Sequence, residues 1–141
     1  MDGIATQLFR LATTARPDQV WAALTRPELT TGYLYGLAAR SDWRPGSGVA
    51  FVAGEGTSLS GEVLAAEEPL RLSYSIRAGD GQPETYVTWE IVADDGGTVV
   101  RLYVDEPAAP DADAETESAW LRVVAGLESV LAGAGAASRR L

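Results

Sequence analysis

The chain predicts an α+β fold: a curved antiparallel sheet of about seven strands wrapped around one long C-terminal helix, in the order β-α-α-β6-α. Three observations carry this. A strand-like segment runs up to Ala15-Arg16-Pro17-Asp18, where a helix opens with Gln19-Val20-Trp21. Between Arg40 and Asp105 only short alternating segments separated by turn residues occur. Trp120, Val123, Val124, Leu127, Val130 and Leu131 then form one apolar stripe at helical spacing. This order implies a sheet gripping a helix, with room for a ligand between them. All 141 residues suit one domain, residues 1–141.

Ile4–Thr13 reads as a strand, with Phe9, Leu11 and Thr13 on one face and Leu8, Arg10 and Ala12 on the other. Pro17 presets the first helical turn, and Asp18 serves there as a cap or a first-turn acid. Pro27 breaks this helix and begins a second, which is expected to reach about Leu34 and stop near Gly36. Arg40–Trp43 reads as a short strand, closed by the turn Arg44-Pro45-Gly46-Ser47-Gly48. Strands follow at Val49–Ala53, Ser58–Ala66, Leu70–Arg77, Thr85–Ala93 and Thr98–Asp105. Asp94-Asp95-Gly96-Gly97 is the clearest hairpin turn. Connections of a few residues make the sheet an antiparallel meander. Glu106–Asp113 reads as an acidic loop, Ala114–Ala132 as the long helix, and Gly133-Ala134-Gly135 as its end, with a frayed Arg139-Arg140 tail.

Composition removes several chemistries. There is no cysteine and no histidine, and all eleven basic residues are arginine. Disulfides, thiolate sites, histidine triads and lysine Schiff bases are therefore excluded. A net charge of −9 repels phosphate backbones and anionic headgroups, so neither nucleic acid nor a membrane is an expected partner. No apolar run approaches the roughly 20 residues that span a bilayer, and Met1-Asp2-Gly3 lacks a signal-peptide start, so the expected location is the cytoplasm.

Ala15-Arg16-Pro17-Asp18-Gln19-Val20-Trp21-Ala22-Ala23-Leu24-Thr25 resembles the opening of the START-like (SRPBCC, helix-grip) superfamily. That fold is shared by the birch-pollen allergen, polyketide cyclases and lipid-transfer domains. The chain looks most like the branch named for the activator of the ninety-kilodalton heat-shock chaperone's ATPase. Pro27-Glu28-Leu29 with Tyr33-Leu34, Asp42-Trp43-Arg44-Pro45-Gly46, Gly61-Glu62-Val63 and Pro69–Tyr74 fit that branch. So do Val87-Thr88-Trp89-Glu90 before the Gly-Gly hairpin, and Trp120 with Leu127. Tyr33 stands where the family usually has an aromatic, and it adds a hydroxyl. Asp105-Glu106 stands where a histidine is often found.

The resemblance implies a cavity between the sheet and the long helix. Strand alternation assigns Phe51, Leu72, Tyr74, Val87, Trp89 and Leu102 to its wall, and helical spacing adds Trp120, Val124 and Leu127. Leu34 and Trp43 are placed at its mouth. The same residues would also serve as ordinary core. Tyr74 is the leading polar candidate, because a buried phenol needs a partner. Glu90 and Arg101 count as cross-strand neighbours, read as an exposed ion pair, with Glu62, Thr88 and Tyr103 also directed away from the cavity. The acids Asp105, Glu106, Asp111, Asp113, Glu115 and Glu117 read as a solvated cluster at a helix start, with no calcium-loop spacing. No catalytic residue, metal or cofactor is assigned. Three functions remain open. One is binding of a small hydrophobic or aromatic molecule, with sequestration or self-resistance as roles of that kind. The others are a polyketide cyclase/dehydrase-like enzyme and a chaperone-regulating or other interaction module. The assembly expected is a monomer or homodimer.

Overall fold

A computed structural model of the chain describes residues 4–53, 56–77, 79, 84–107 and 113–139. The elements are β1 (Ile4–Thr13), α1 (Pro17–Thr25), α2 (Pro27–Thr30), β2 (Ala38–Ser41), β3 (Gly48–Ala53), β4 (Gly56–Glu67), β5 (Arg71–Ile76), β6 (Thr85–Asp94), β7 (Gly97–Pro107) and α3 (Asp113–Arg139). One antiparallel sheet holds all seven strands in the order β1-β7-β6-β5-β4-β3-β2. β2 to β7 form a meander, and β1 closes onto the β7 edge from Ile4↔Pro107 to Thr13↔Thr98. α3 lies across the sheet's buried face and packs on β1 and α1. This is the expected α+β architecture.

Period-2 burial fixes which face α3 covers. Phe9 and Leu11 on β1, Val87, Trp89 and Ile91 on β6, and Val100, Leu102 and Val104 on β7 are all buried. The α3 stripe supplies Val123, Leu127 and Leu131 to the same core, with Trp120, Val124 and Val130 packed against it. Asp18 lies in the first turn of α1 as a helix-favouring acid, held by Arg16 at 3.2 Å, while the Gln19 side chain accepts the Arg16 backbone N–H.

Several boundaries differ from expectation. α2 ends at Thr30, and residues 31–36 are turns closed by left-handed Tyr35 (φ 54°) and Gly36 (φ 80°). Thr30 is the cause: its hydroxyl shares its one proton between the Pro27 and Leu37 carbonyls and accepts the Ala39 N–H, so the chain folds back instead of continuing as helix. β2 is Ala38–Ser41 rather than Arg40–Trp43, because Trp43 has φ 55° and cannot continue a ladder. β7 runs on through Glu106 and Pro107. α3 continues past Gly133-Ala134-Gly135 to Arg139, the intervening alanines offsetting the glycines' poor propensity. The connections at residues 54–55 and 80–83, residues 108–112 of the acidic loop, and Arg140 lie outside the described residues.

Burial on β5 also departs from alternation, since Ser73 and Ser75 are buried beside Leu72 and Tyr74. Both serines have partners. The Ser73 and Thr88 hydroxyls share a hydrogen bond, and the Ser75 hydroxyl accepts the Glu62 N–H where β4 bulges. Gly61 allows that approach, because a Cβ there would meet the Ser75 carbonyl oxygen at 1.7 Å. Glu90 does pair in register with Arg101. The expected ion pair is replaced, among the described residues, by a hydrogen bond from the Tyr103 hydroxyl to Glu90 at 3.1 Å. No helix of the described residues is long and apolar enough to cross a membrane.

Candidate functional site

The sheet register brings most of the assigned residues together. Leu72 pairs with Trp89, Trp89 with Leu102, and Tyr74 with Val87. These side chains therefore stand side by side on the face covered by α3, each at most 2% exposed. Phe51 on β3 joins them, its ring 5.7 Å from that of Tyr74. From above, Leu127 is fully buried, while Trp120 and Val124 are half-buried. Leu34 is buried in the core, and Trp43 is half-buried at its margin. The left-handed backbone of Trp43 is held by two contacts. Its N–H donates to the Ser41 hydroxyl, and its indole N–H donates to the Thr25 carbonyl at 3.1 Å. Its ring then meets Tyr74 edge-on at 6.3 Å.

Tyr33 completes the aromatic group, and its ring packs edge-on against Trp89 at 6.3 Å with the planes at 85°. Two glycines place it. The turn at Gly32-Tyr33 presses against α3 at Gly126, where a Cβ would meet the Tyr33 Cα at 2.9 Å. Gly32 in turn makes room for Val130, and the Tyr35 hydroxyl donates to the Ala119 carbonyl of α3 at 2.7 Å. Family resemblance had marked Tyr33 as an aromatic position, but nothing in periodicity placed it in the site.

The polar chemistry of this cluster is unbalanced. The Trp89 indole N–H donates to the Tyr74 hydroxyl oxygen at 3.1 Å. The proton of that hydroxyl has no acceptor among the described residues. The Tyr33 hydroxyl is buried with no hydrogen-bond partner among the described residues. Burial pushes the Tyr33 phenol well above its ordinary pKa, and the neighbouring Tyr74 adds to the effect. Burial likewise pushes Tyr74 up to about 12, against the opposing Trp89 hydrogen bond. Both phenols are therefore neutral O–H donors at any physiological pH. An unpaired buried hydroxyl costs about 1–3 kcal/mol.

A second polar group sits on the same face at the β1–β7 edge. Gln7 follows Phe9 and Leu11 in alternation, and Glu106 follows Val100, Leu102 and Val104. Gln7 pairs with Val104, so Glu106 is its diagonal neighbour, within reach of long side chains. Gln7 Oε1 and Glu106 Oε1 are both inaccessible and without hydrogen-bond partners among the described residues. Burial raises the Glu106 carboxyl above its ordinary value; the Trp120 indole N–H acts the other way but leaves Oε1 unpaired. Glu106 thus leaves the solvated cluster to which the sequence assigned it. Its neighbour Asp105 points outward and accepts the Thr6 hydroxyl at 2.6 Å, so the two acids diverge. Both inward residues were readable by extending the strand alternation by one or two steps.

Comparison with known proteins follows the same lines. No curated protein matches the chain. Among solved structures, a protein from Mesorhizobium loti is 25% identical over 90% of this chain and 96% of that one, with a TM-score of 0.76. DynU16, a protein in the dynemicin biosynthetic locus, is 22% identical over 89% of this chain and 46% of its own, with a TM-score of 0.77. The Aha1 dimer from Colwellia psychrerythraea is 16% identical over 90% of this chain and 96% of that one, with a TM-score of 0.74. A family model described as activator of Hsp90 ATPase homolog 1-like protein matches residues 14–132, from just before α1 into α3. With its seven-stranded sheet closed around α3, the chain belongs to this family, within the START-like, helix-grip superfamily.

Proposed function

We propose that the protein binds a small hydrophobic or aromatic molecule between the sheet and α3, on the face lined by Phe51, Tyr74, Trp89 and Leu127. The observation that carries this reading is the buried, unpartnered hydroxyl of Tyr33 beside the unused proton of Tyr74. Two donors held in an apolar aromatic setting suit an acceptor oxygen on an otherwise apolar ligand. Burial of the ligand's apolar surface supplies affinity, at about 25 cal/mol per Å², and the phenols orient it. Sequestration or self-resistance is the role this mode serves, in the cytoplasm and as a monomer or homodimer. The presence of DynU16 in a biosynthetic locus is in keeping with such a role.

A second reading, a cyclase/dehydrase-like enzyme, is favoured by one observation: the inward Glu106 with its raised pKa, a group suited to proton transfer. The test is titration of tryptophan fluorescence and melting temperature with fatty acids, sterols, flavonoids and aromatic polyketides. Saturable quenching with a rise in Tm supports binding, and analysis of the recovered compound separates binder from enzyme. An unresponsive protein across the panel would overturn the ligand reading in favour of an interaction module.

A further inference from the structure

The face covered by α3 carries donors at one place and acceptors at another. Tyr74, Val87, Val104 and Gln7 form one row across β5, β6, β7 and β1. Three strand spacings separate Tyr74 from Gln7, about 14 Å. At the phenol end the groups without partners are O–H donors. At the far end they are acceptors, Gln7 Oε1 and Glu106 Oε1. Between them lie only the valines, both fully buried. Among the described residues Glu106 has no cationic partner. The carboxylate is partly buried, its Oε1 inaccessible and its charge met only by the neutral Trp120 N–H, and a further neutral donor would satisfy that oxygen but leave the charge uncompensated.

We infer that the Gln7–Glu106 corner is a second subsite, which takes a protonated amine at one end of the bound molecule. The ammonium donates to both orphan oxygens and neutralises the carboxylate, and the apolar body of the ligand runs along Val104 and Val87 toward the phenols. This inference rests on the ligand-binding reading above, and it narrows the ligand to an apolar molecule with an amine at one end.

The test uses two matched probes, 2-(naphthalen-2-yl)ethylamine and 2-(naphthalen-2-yl)ethanol, titrated by tryptophan fluorescence into the full chain. A third probe, 2-acetylnaphthalene, offers only an acceptor and reads the phenol end by itself. The amine is expected to bind at least about tenfold more tightly than the alcohol. That preference should collapse in Glu106→Gln and survive in Glu28→Gln, which removes one negative charge from an exposed helix position. Melting curves of both variants establish that they fold. Equal affinity for amine and alcohol in the wild type, or a preference that persists in Glu106→Gln, overturns the subsite. An internal Gln7–Glu106 hydrogen bond would give the first of these results. Should 2-acetylnaphthalene saturate while the matched pair bind alike, the subsite alone falls. Should none of the three saturate, it falls together with the binding reading.

Discussion

Single side chains here hold buried polar atoms that have no partner among the described residues. The Tyr33 hydroxyl is buried without a partner, so removing it should stabilise the empty protein. Tyr33→Phe is expected to raise stability by about 1 kcal/mol and Tm by several degrees, while weakening binding of 2-acetylnaphthalene. A melt and a titration on the same sample check both signs. Tyr74→Phe should do the opposite to stability, a loss of about 1–3 kcal/mol, because the Trp89 N–H would lose its acceptor. Glu106 gives a pH signature. Its folded pKa is raised, so its protonated form contributes stability at low pH, and that contribution is lost as pH rises through the folded value. Glu106→Gln should therefore melt higher than wild type at pH 7 and converge with it near pH 4. A gap that is constant with pH would contradict this assignment.

At the scale of elements, close backbone approaches hold the site together. α3 meets the Gly32-Tyr33 turn at Gly126, and β4 meets β5 at Gly61. Gly126→Ala improves helix propensity by about 1 kcal/mol, but its methyl enters the Tyr33 backbone, and overpacking of this kind costs about 1–3 kcal/mol. The expected outcome is a net loss of stability, together with a displaced Tyr33 ring that shows in near-ultraviolet circular dichroism. Gly61→Ala should be worse, by about 3 kcal/mol or more, since a Cβ would overlap the Ser75 carbonyl; urea denaturation measures the loss. The elements that sequence reasoning misjudged share one cause. Thr30 ends α2 through bonds to Leu37 and Ala39, and Trp43 leaves β2 through its bond to Thr25. These partners are 7 to 18 residues distant, beyond any local propensity.

For the whole molecule, a net charge of −9 over 141 residues predicts self-repulsion that salt relieves. Tm should climb modestly with sodium chloride up to a few hundred millimolar, and a flat response would show the acids to be locally compensated. The architecture was legible from the sequence because it depends on periodicity and punctuation. Phe9 and Leu11, then Val87-Trp89-Ile91, then Val100-Leu102-Val104 alternate as a half-buried sheet must, and the Trp120–Leu131 stripe can cover only one face. The same rule put Phe51, Leu72, Val87, Trp89 and Leu102 among the buried side chains. What the sequence alone could not decide was which polar groups are left unpaired. Tyr33 enters the site only because two glycines, at 32 and 126, let a turn touch a helix more than ninety residues away. Glu106 belongs to a half-buried corner of the sheet rather than an acidic loop only because β7 pairs with β1 as far as Pro107. Periodicity records which way a side chain points. Whether its hydrogen bonds are met depends on neighbours that only the folded chain brings together.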